Sequence, residues 1–148
     1  MNSLRRSTLK FAAALSAGLL LPLRAIAAWN KDAFGAKTAA DALKGLGVGA
    51  SAESKDIVID APQIAENGAV VPIAVATMLT DVTSIAFLAS ENPNALAAYY
   101  VIPEGTVPAV ANRLKMAKTC NIIAIVESGG KLYSATKEVK VTVGGCGG

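Results

Sequence analysis

The sequence contains no histidine, and this absence removes several classes of active site. Without histidine there is no Ser-His-Asp or Cys-His nucleophile pair, no histidine general base and no histidine ligand for zinc. Two cysteines are too few for a zinc site of four thiolates, and neither the G-x-x-x-x-G-K-S/T nor the G-x-G-x-x-G loop of nucleotide-binding proteins is present. The sequence therefore predicts no catalytic residue, no metal site and no cofactor.

Positive charge is also scarce once the N-terminus is set apart. The whole chain has 14 Lys and Arg against 11 Asp and Glu, a net charge of +3. Four of the bases and none of the acids precede residue 28, so the remainder carries ten bases against eleven acids, a net charge of −1. Because no cationic face remains, nucleic acid is not an expected partner.

The first 27 residues have the features of an export signal. Arg5 and Arg6 open a twin-arginine pattern, and the apolar run from Phe11 to Leu23 is 13 residues long. A membrane-spanning helix needs about 20 residues, and this run is apolar on all sides, unlike an amphipathic anchor. Ala25-Ile26-Ala27 supplies a small-x-small cleavage site. We therefore predict a twin-arginine signal peptide over residues 1–27, a periplasmic location, and no membrane association after its removal.

Residues 28–143 are expected to form one domain that begins with an amphipathic helix. The helix is predicted over Asn30–Gly47, with Asn30 as its N-cap and Gly45 and Gly47 at its end. Apolar residues at three- and four-residue spacings would form its buried stripe.

After Lys55 the pattern changes to short apolar or alternating runs separated by turn signals. Glu66-Asn67-Gly68 predicts a turn with φ > 0, Pro72 predicts an edge or a bulge at the start of its strand, and Ser128-Gly129-Gly130 predicts a hairpin turn. About seven strands are typical of an immunoglobulin-like antiparallel β-sandwich. They are predicted around Ile57 and Ile59, and over Val70–Leu79, Ser84–Ser90, Leu96–Ile102, Arg113–Lys118, Asn121–Glu127, and Lys131–Thr136 with a last run from Val139 to Val143.

The chain ends in a tail, residues 144–148, in which one cysteine stands among glycines. Gly144, Gly145, Gly147 and Gly148 flank Cys146 and leave it without bulky neighbours. The three residues from Val143 to Cys146 extend at most about 10 Å, enough to enter a narrow active-site channel of another protein. No lysine or arginine lies in the tail to activate the thiol, so activation is expected from a partner's site.

Cys120, the second cysteine, leaves two interpretations open. It precedes the apolar run Asn121–Val126, which favours a small buried residue of the core. Two cysteines in an exported protein also permit a Cys120–Cys146 disulfide, if their Cα atoms come within about 7 Å.

The Val141-Thr-Val-Gly-Gly-Cys-Gly-Gly148 terminus, the twin-arginine signal and the β domain between them resemble the SoxY family of thiosulfate-oxidation carrier proteins. The resemblance implies an immunoglobulin-like sandwich paired with a second β protein, SoxZ, as a heterodimer. It implies that sulfur intermediates are bound covalently to Cys146 and presented to a heme-containing cytochrome, a sulfate-releasing hydrolase and a sulfur dehydrogenase. No role for Cys120 follows from it.

The sequence thus predicts a non-catalytic covalent sulfur carrier with Cys146 as the attachment point. One alternative is a structural or adhesive sandwich domain closed by a Cys120–Cys146 disulfide. Another is a carrier that holds sulfur on the carboxylate after Gly147-Gly148, but that activation needs ATP, which an exported protein lacks.

Overall fold

The computed structural model describes residues 30–47 and 49–142. The predicted signal peptide, Arg5, Arg6, and the tail with Cys146 and its four glycines lie outside this range. Within the described part, a mainly β domain of two sheets follows two short helices. The mainly β class with an N-terminal helical segment is thereby confirmed.

The single helix predicted over Asn30–Gly47 is wrong, because two helices occupy this segment. Helix α1 spans Lys31–Gly35 and helix α2 spans Ala39–Gly45. Asn30 caps α1 as predicted, since its side chain accepts a hydrogen bond from the Ala33 N–H at 3.0 Å. Thr38 is extended (φ −119°, ψ 153°) and accepts from the Asp41 N–H at 3.1 Å. A threonine in this role starts a new helix, because its hydroxyl satisfies a backbone donor that the first turn leaves free.

In the described residues, nine strands form a six-stranded and a three-stranded sheet. The larger sheet has the path β1-β9-β8-β5-β6, with β3 beside β9, and the smaller sheet has the order β2-β4-β7. All pairs are antiparallel except β1 and β3, which run parallel to β9. The strands are β1 (Ala52–Glu53), β2 (Ile57–Asp60), β3 (Ile64–Ala65), β4 (Val71–Thr77), β5 (Val82–Ala89), β6 (Leu96–Val101), β7 (Ala109–Leu114), β8 (Cys120–Ser128) and β9 (Lys131–Val141).

Several strands differ from their predicted bounds. The alternating run predicted over Arg113–Lys118 lies mostly beyond β7, because the real strand is the preceding Ala109–Leu114. The run predicted over Lys131–Thr136 and the described part of the run that begins at Val139 belong to one continuous strand, β9, and Val143 lies outside the described residues. The hairpin between β8 and β9 is as predicted, with Gly129 and Gly130 at φ values of +54° and +72°.

The two sheets pack face to face around the main core. Its largest fully buried side chains come from both sheets, among them Ile73 and Val75 of β4 and Phe87 of β5. The opposite face of the larger sheet is covered by the helices, whose Ala33 and Ala42 pack in a second apolar cluster with residues of β5 and β8. Burial on both faces explains why β5 and β8 have nearly continuous apolar runs rather than alternation.

Gly68 acts differently from its prediction, whereas Pro72 lies at a local edge at the start of its strand, as predicted. Gly68 does not have a positive φ, and its small size matters instead, because a Cβ there would lie 2.7 Å from the Met116 carbonyl oxygen. Pro72 lies in β4, the middle strand of its sheet, but β2 pairs with β4 only from Ala74 onward. Pro72 therefore has a strand neighbour on one side only, where β7 pairs with it through Arg113.

Among the described residues, no helix is long and apolar enough to cross a membrane.

Candidate functional site

Cys146 and its flanking glycines lie outside the described residues. The structure describes the end of the chain segment that precedes them. We call this the arm base: the C-terminal end of β9 at Val141 and Thr142, with the residues that hold it, chiefly Thr119, Ala65 and Gly68. Its residues come from segments that are distant in sequence, and the sequence alone did not predict that they are neighbours.

The backbone of the arm base is hydrogen-bonded on both sides. On one side, the Val141 N–H donates to the Thr119 hydroxyl oxygen at 2.9 Å. The same hydroxyl donates to the Val141 carbonyl oxygen at 3.4 Å. On the other side, the Lys140 N–H donates to the Gln63 carbonyl at 2.9 Å and the Thr142 N–H donates to the Ala65 carbonyl at 3.1 Å. Because both edges are occupied, β9 keeps a fixed path up to residue 142.

Side-chain packing fixes the same segment. Val139 is fully buried, and Val141 packs against the main core. The Met116 N–H donates to the Gly68 carbonyl at 2.7 Å, and a Cβ on Gly68 would lie 2.8 Å from a Val141 methyl group. The glycine therefore permits the chain before β4 to approach β9 closely.

Charge contributes little to the arm base. The nearest ion pair joins Lys118 and Glu91 at 3.1 Å, and both side chains are at least half exposed. Such exposed pairs are worth about 0–1 kcal/mol. Backbone hydrogen bonds and apolar packing, rather than ion pairs, hold the base.

The number of residues between the described domain and Cys146 limits how far apart they can lie. Thr142 is the last described residue, and Cys146 follows it four residues later along the chain, in steps of about 3.3–3.6 Å. Chain length therefore limits the separation of Cys146 from Thr142 to at most about 14 Å.

Replacement of Thr119 by valine, which has the same shape, should loosen the arm base without unfolding the domain. The change removes the hydroxyl that binds Val141, a loss of about 0.5–1.5 kcal/mol. We expect the Val141 amide to exchange with solvent several-fold faster in hydrogen-exchange mass spectrometry, with β5 unchanged. Thr136→Val on exposed β9 is the matched control, and equal exchange in both variants would contradict the assigned role of Thr119.

Cys120 is a free, buried thiol, as its interpretation as a core residue predicted. It is the first residue of β8, is 6% exposed, and pairs with Val139 of β9. Its side chain belongs to the main core between the two sheets. The Cys120–Cys146 disulfide stays an alternative that thiol titration of the native protein tests.

Residues 30–47 and 49–142 contain no group of three or more Cys, Asp or Glu side chains that could hold a metal ion. Their buried side-chain nitrogen and oxygen atoms all have hydrogen-bond partners. The only buried polar side chain there, Ser84, donates to Glu127 at 3.0 Å.

Comparison with solved structures finds a carrier protein with this fold. The sulfur carrier protein SoxY from Chlorobium limicola f thiosulfatophilum is 42% identical, with a TM-score of 0.62 over 68% of this chain and 92% of that protein. Two structures of superoxide reductase (neelaredoxin) from Ignicoccus hospitalis are 20% and 18% identical, with TM-scores of 0.53 and 0.52. The first covers 62% of this chain and 83% of its own chain, and the second covers 67% and 87%. At these sequence identities the two structures show a similar fold and nothing more.

Comparison with protein-family models gives the same family as the SoxY structure. No curated protein matches the sequence. The family model described as sulfur oxidation protein SoxY matches residues 44–146, a range that ends on Cys146 itself. The chain belongs to the SoxY family of sulfur oxidation proteins.

Proposed function

We propose that this protein is a periplasmic carrier that holds sulfur intermediates of thiosulfate oxidation covalently on Cys146. Proteins of the SoxY family are sulfur carriers rather than enzymes. The observation that carries the proposal here is the family match through residue 146, four residues beyond the last described residue, Thr142. Gly144, Gly145, Gly147 and Gly148 supply the freedom that a carrier arm needs.

The chemistry can be written from the thiol. The Cys146 thiol and thiosulfate form an S–S bond with loss of one proton and two electrons, which a heme-containing partner accepts. The product is a cysteine-S-thiosulfonate. Water then cleaves the outer S–S bond at a hydrolase, which releases sulfate and leaves a persulfide on Cys146. A sulfur dehydrogenase can oxidise that persulfide further. Sulfur suits this role because S–S bonds form and break under mild conditions.

The assembly and its location belong to the same proposal. Arg5 and Arg6 direct export by the twin-arginine route, and cleavage after residue 27 leaves the helices and an immunoglobulin-like sandwich up to residue 143. A SoxZ-like β-sandwich subunit pairs with it as a heterodimer.

Incubation with thiosulfate and the oxidising partner, followed by intact-mass spectrometry, tests the function. We expect one adduct per chain that reductant removes, and none on Cys146→Ala. Cys120→Ala is the matched control, because its buried thiol should contribute nothing to the adduct. An adduct that survives Cys146→Ala, or no adduct on the wild-type protein, would refute the proposal.

A further inference from the structure

Strand β6 is an open edge of the larger sheet. It is the last strand on the path β1-β9-β8-β5-β6, so β5 pairs with it on one side and no described strand pairs with it on the other. Its residues, Leu96–Val101, include no proline and no charged side chain. Natural proteins usually protect an edge with charges, proline or a covering segment, because its free backbone groups can pair with another chain.

The outward backbone groups of β6 belong to Tyr99 and Val101. The Ile102 N–H donates to the Thr83 carbonyl of β5 at 2.9 Å. Because successive residues of an antiparallel strand bond to opposite sides, Tyr100 also bonds to β5, whereas the N–H and C=O of Tyr99 and Val101 point to the open edge. Among the described residues, no hydrogen bond satisfies these outward groups.

The other sheet edges in residues 30–47 and 49–142 are protected. On β7, the Arg113 N–H donates to the Asn112 side chain at 2.7 Å, and the arginine adds a charge. On β2, the Ile59 carbonyl accepts from the Lys137 ammonium at 3.3 Å. Strands β1 and β3 are only two residues long. The open edge of β6 is therefore an exception within this fold.

The open groups of β6 are self-complementary. With a second copy placed about a twofold axis at Tyr100, Tyr99 of each copy faces Val101 of the other. Facing residues in an antiparallel pair can exchange two hydrogen bonds, so this register satisfies the outward N–H and C=O of both residues in both copies. It also sets aromatic Tyr99, which is 38% exposed, against β-branched Val101, which is 71% exposed. Such cross-strand pairs are favourable.

We propose that β6 is a dimerisation edge, which pairs antiparallel with β6 of a second copy and joins the two larger sheets into one. A second copy fits this edge because each copy supplies the groups that the other lacks. Charge does not oppose the pairing, since β6 is uncharged and residues 28–148 have a net charge of only −1. The inference does not depend on the proposed function, because only residues of β6 take part.

Analytical ultracentrifugation of the mature chain, with any subunit that purifies with it, tests the pairing. Reductant is present throughout, so that no disulfide joins two copies. We expect assemblies with one copy of this chain at low concentration and two at high concentration. The dissociation constant should be on the order of 10–100 µM, because edge-to-edge pairing buries little area.

Two substitutions at Val101 separate edge pairing from other contacts. Val101→Pro removes an outward N–H that has no partner within the domain, a position at which an edge strand tolerates proline. Val101→Lys keeps the backbone and adds the charge that protects natural edges. Each should weaken dimerisation about tenfold or more. Val58→Lys is the matched control, because Val58 is 59% exposed on β2 of the other sheet, and it should dimerise like the wild-type protein.

Hydrogen exchange at single-amide resolution locates the interface. The amides of Tyr99 and Val101 should exchange several-fold more slowly at concentrations above the dissociation constant than below it. The amide of Tyr100 should not change, because it already bonds to β5.

Three results would overturn the inference. The first is one copy per assembly at every concentration up to 1 mM, and the second is unchanged dimerisation in both Val101 variants. The third is loss of the dimer in Val58→Lys, which would assign the contact to the face of the smaller sheet. If the wild-type protein holds one copy and Val101→Pro releases another subunit, the edge belongs to that subunit and the inference is wrong. No readout involves thiosulfate or Cys146, so failure of pairing and failure of the carrier function are separate results.

Discussion

A thiol reagent added to the native protein should modify Cys146 rapidly and Cys120 only after unfolding. Cys120 is 6% exposed and lies between the sheets, at the start of a strand that pairs with β5 and β9. Its reaction requires this part of the core to open, at a free energy that approaches the stability of the whole domain. A domain stable by about 5 kcal/mol or more should slow the reaction at least a thousandfold.

Ellman titration with and without denaturant measures this difference. The native protein should release one equivalent of chromophore quickly, and the denatured protein two. Cys146→Ala should give no fast equivalent, whereas Cys120→Ala should keep it. If the native wild-type protein shows no thiol until it is reduced and two afterwards, the chain contains the Cys120–Cys146 disulfide, and the structural-domain alternative replaces the carrier.

The parts of the fold that were predicted correctly depend on features that are local in sequence. The β8–β9 hairpin was predictable because Gly129 and Gly130 supply two consecutive positive φ values between apolar runs. Alternation around Ile57 and Ile59 located β2, which has one buried and one exposed face. The role of Cys146 was predicted from its glycine neighbours alone and stays a prediction, although the family model extends through residue 146.

The features that sequence reasoning missed depend on contacts between distant segments. Strands β1 and β3 are two residues each and exist only because β9 offers them a partner, so no periodicity could indicate them. Thr119 binds Val141, 22 residues away, and nothing in its local sequence marks this role. Thr38 is the exception, since a threonine three residues before Asp41 is a capping signal that could have divided the predicted helix.

Removal of the aromatic ring at the centre of the sandwich should cause a large loss of stability. Phe87 of β5 is fully buried, and its ring meets Tyr100 of β6 edge to face, with centroids 5.8 Å apart and planes at 90°. Phe87→Ala removes this contact and leaves a cavity between the sheets, at a cost of about 3–5 kcal/mol. Thermal unfolding followed by circular dichroism should show a midpoint lower by roughly 10–20 °C.

Tyr99→Ala is the matched control, because Tyr99 is an aromatic residue of neighbouring β6 that is 38% exposed. Its truncation should cost under about 1 kcal/mol, as exposed positions usually do. Equal losses in the two variants would contradict the packing described for β5. Below its unfolding midpoint, Phe87→Ala should still accept sulfur on Cys146, because the sandwich positions the base of the arm while the thiol that bears the cargo lies four residues beyond Thr142.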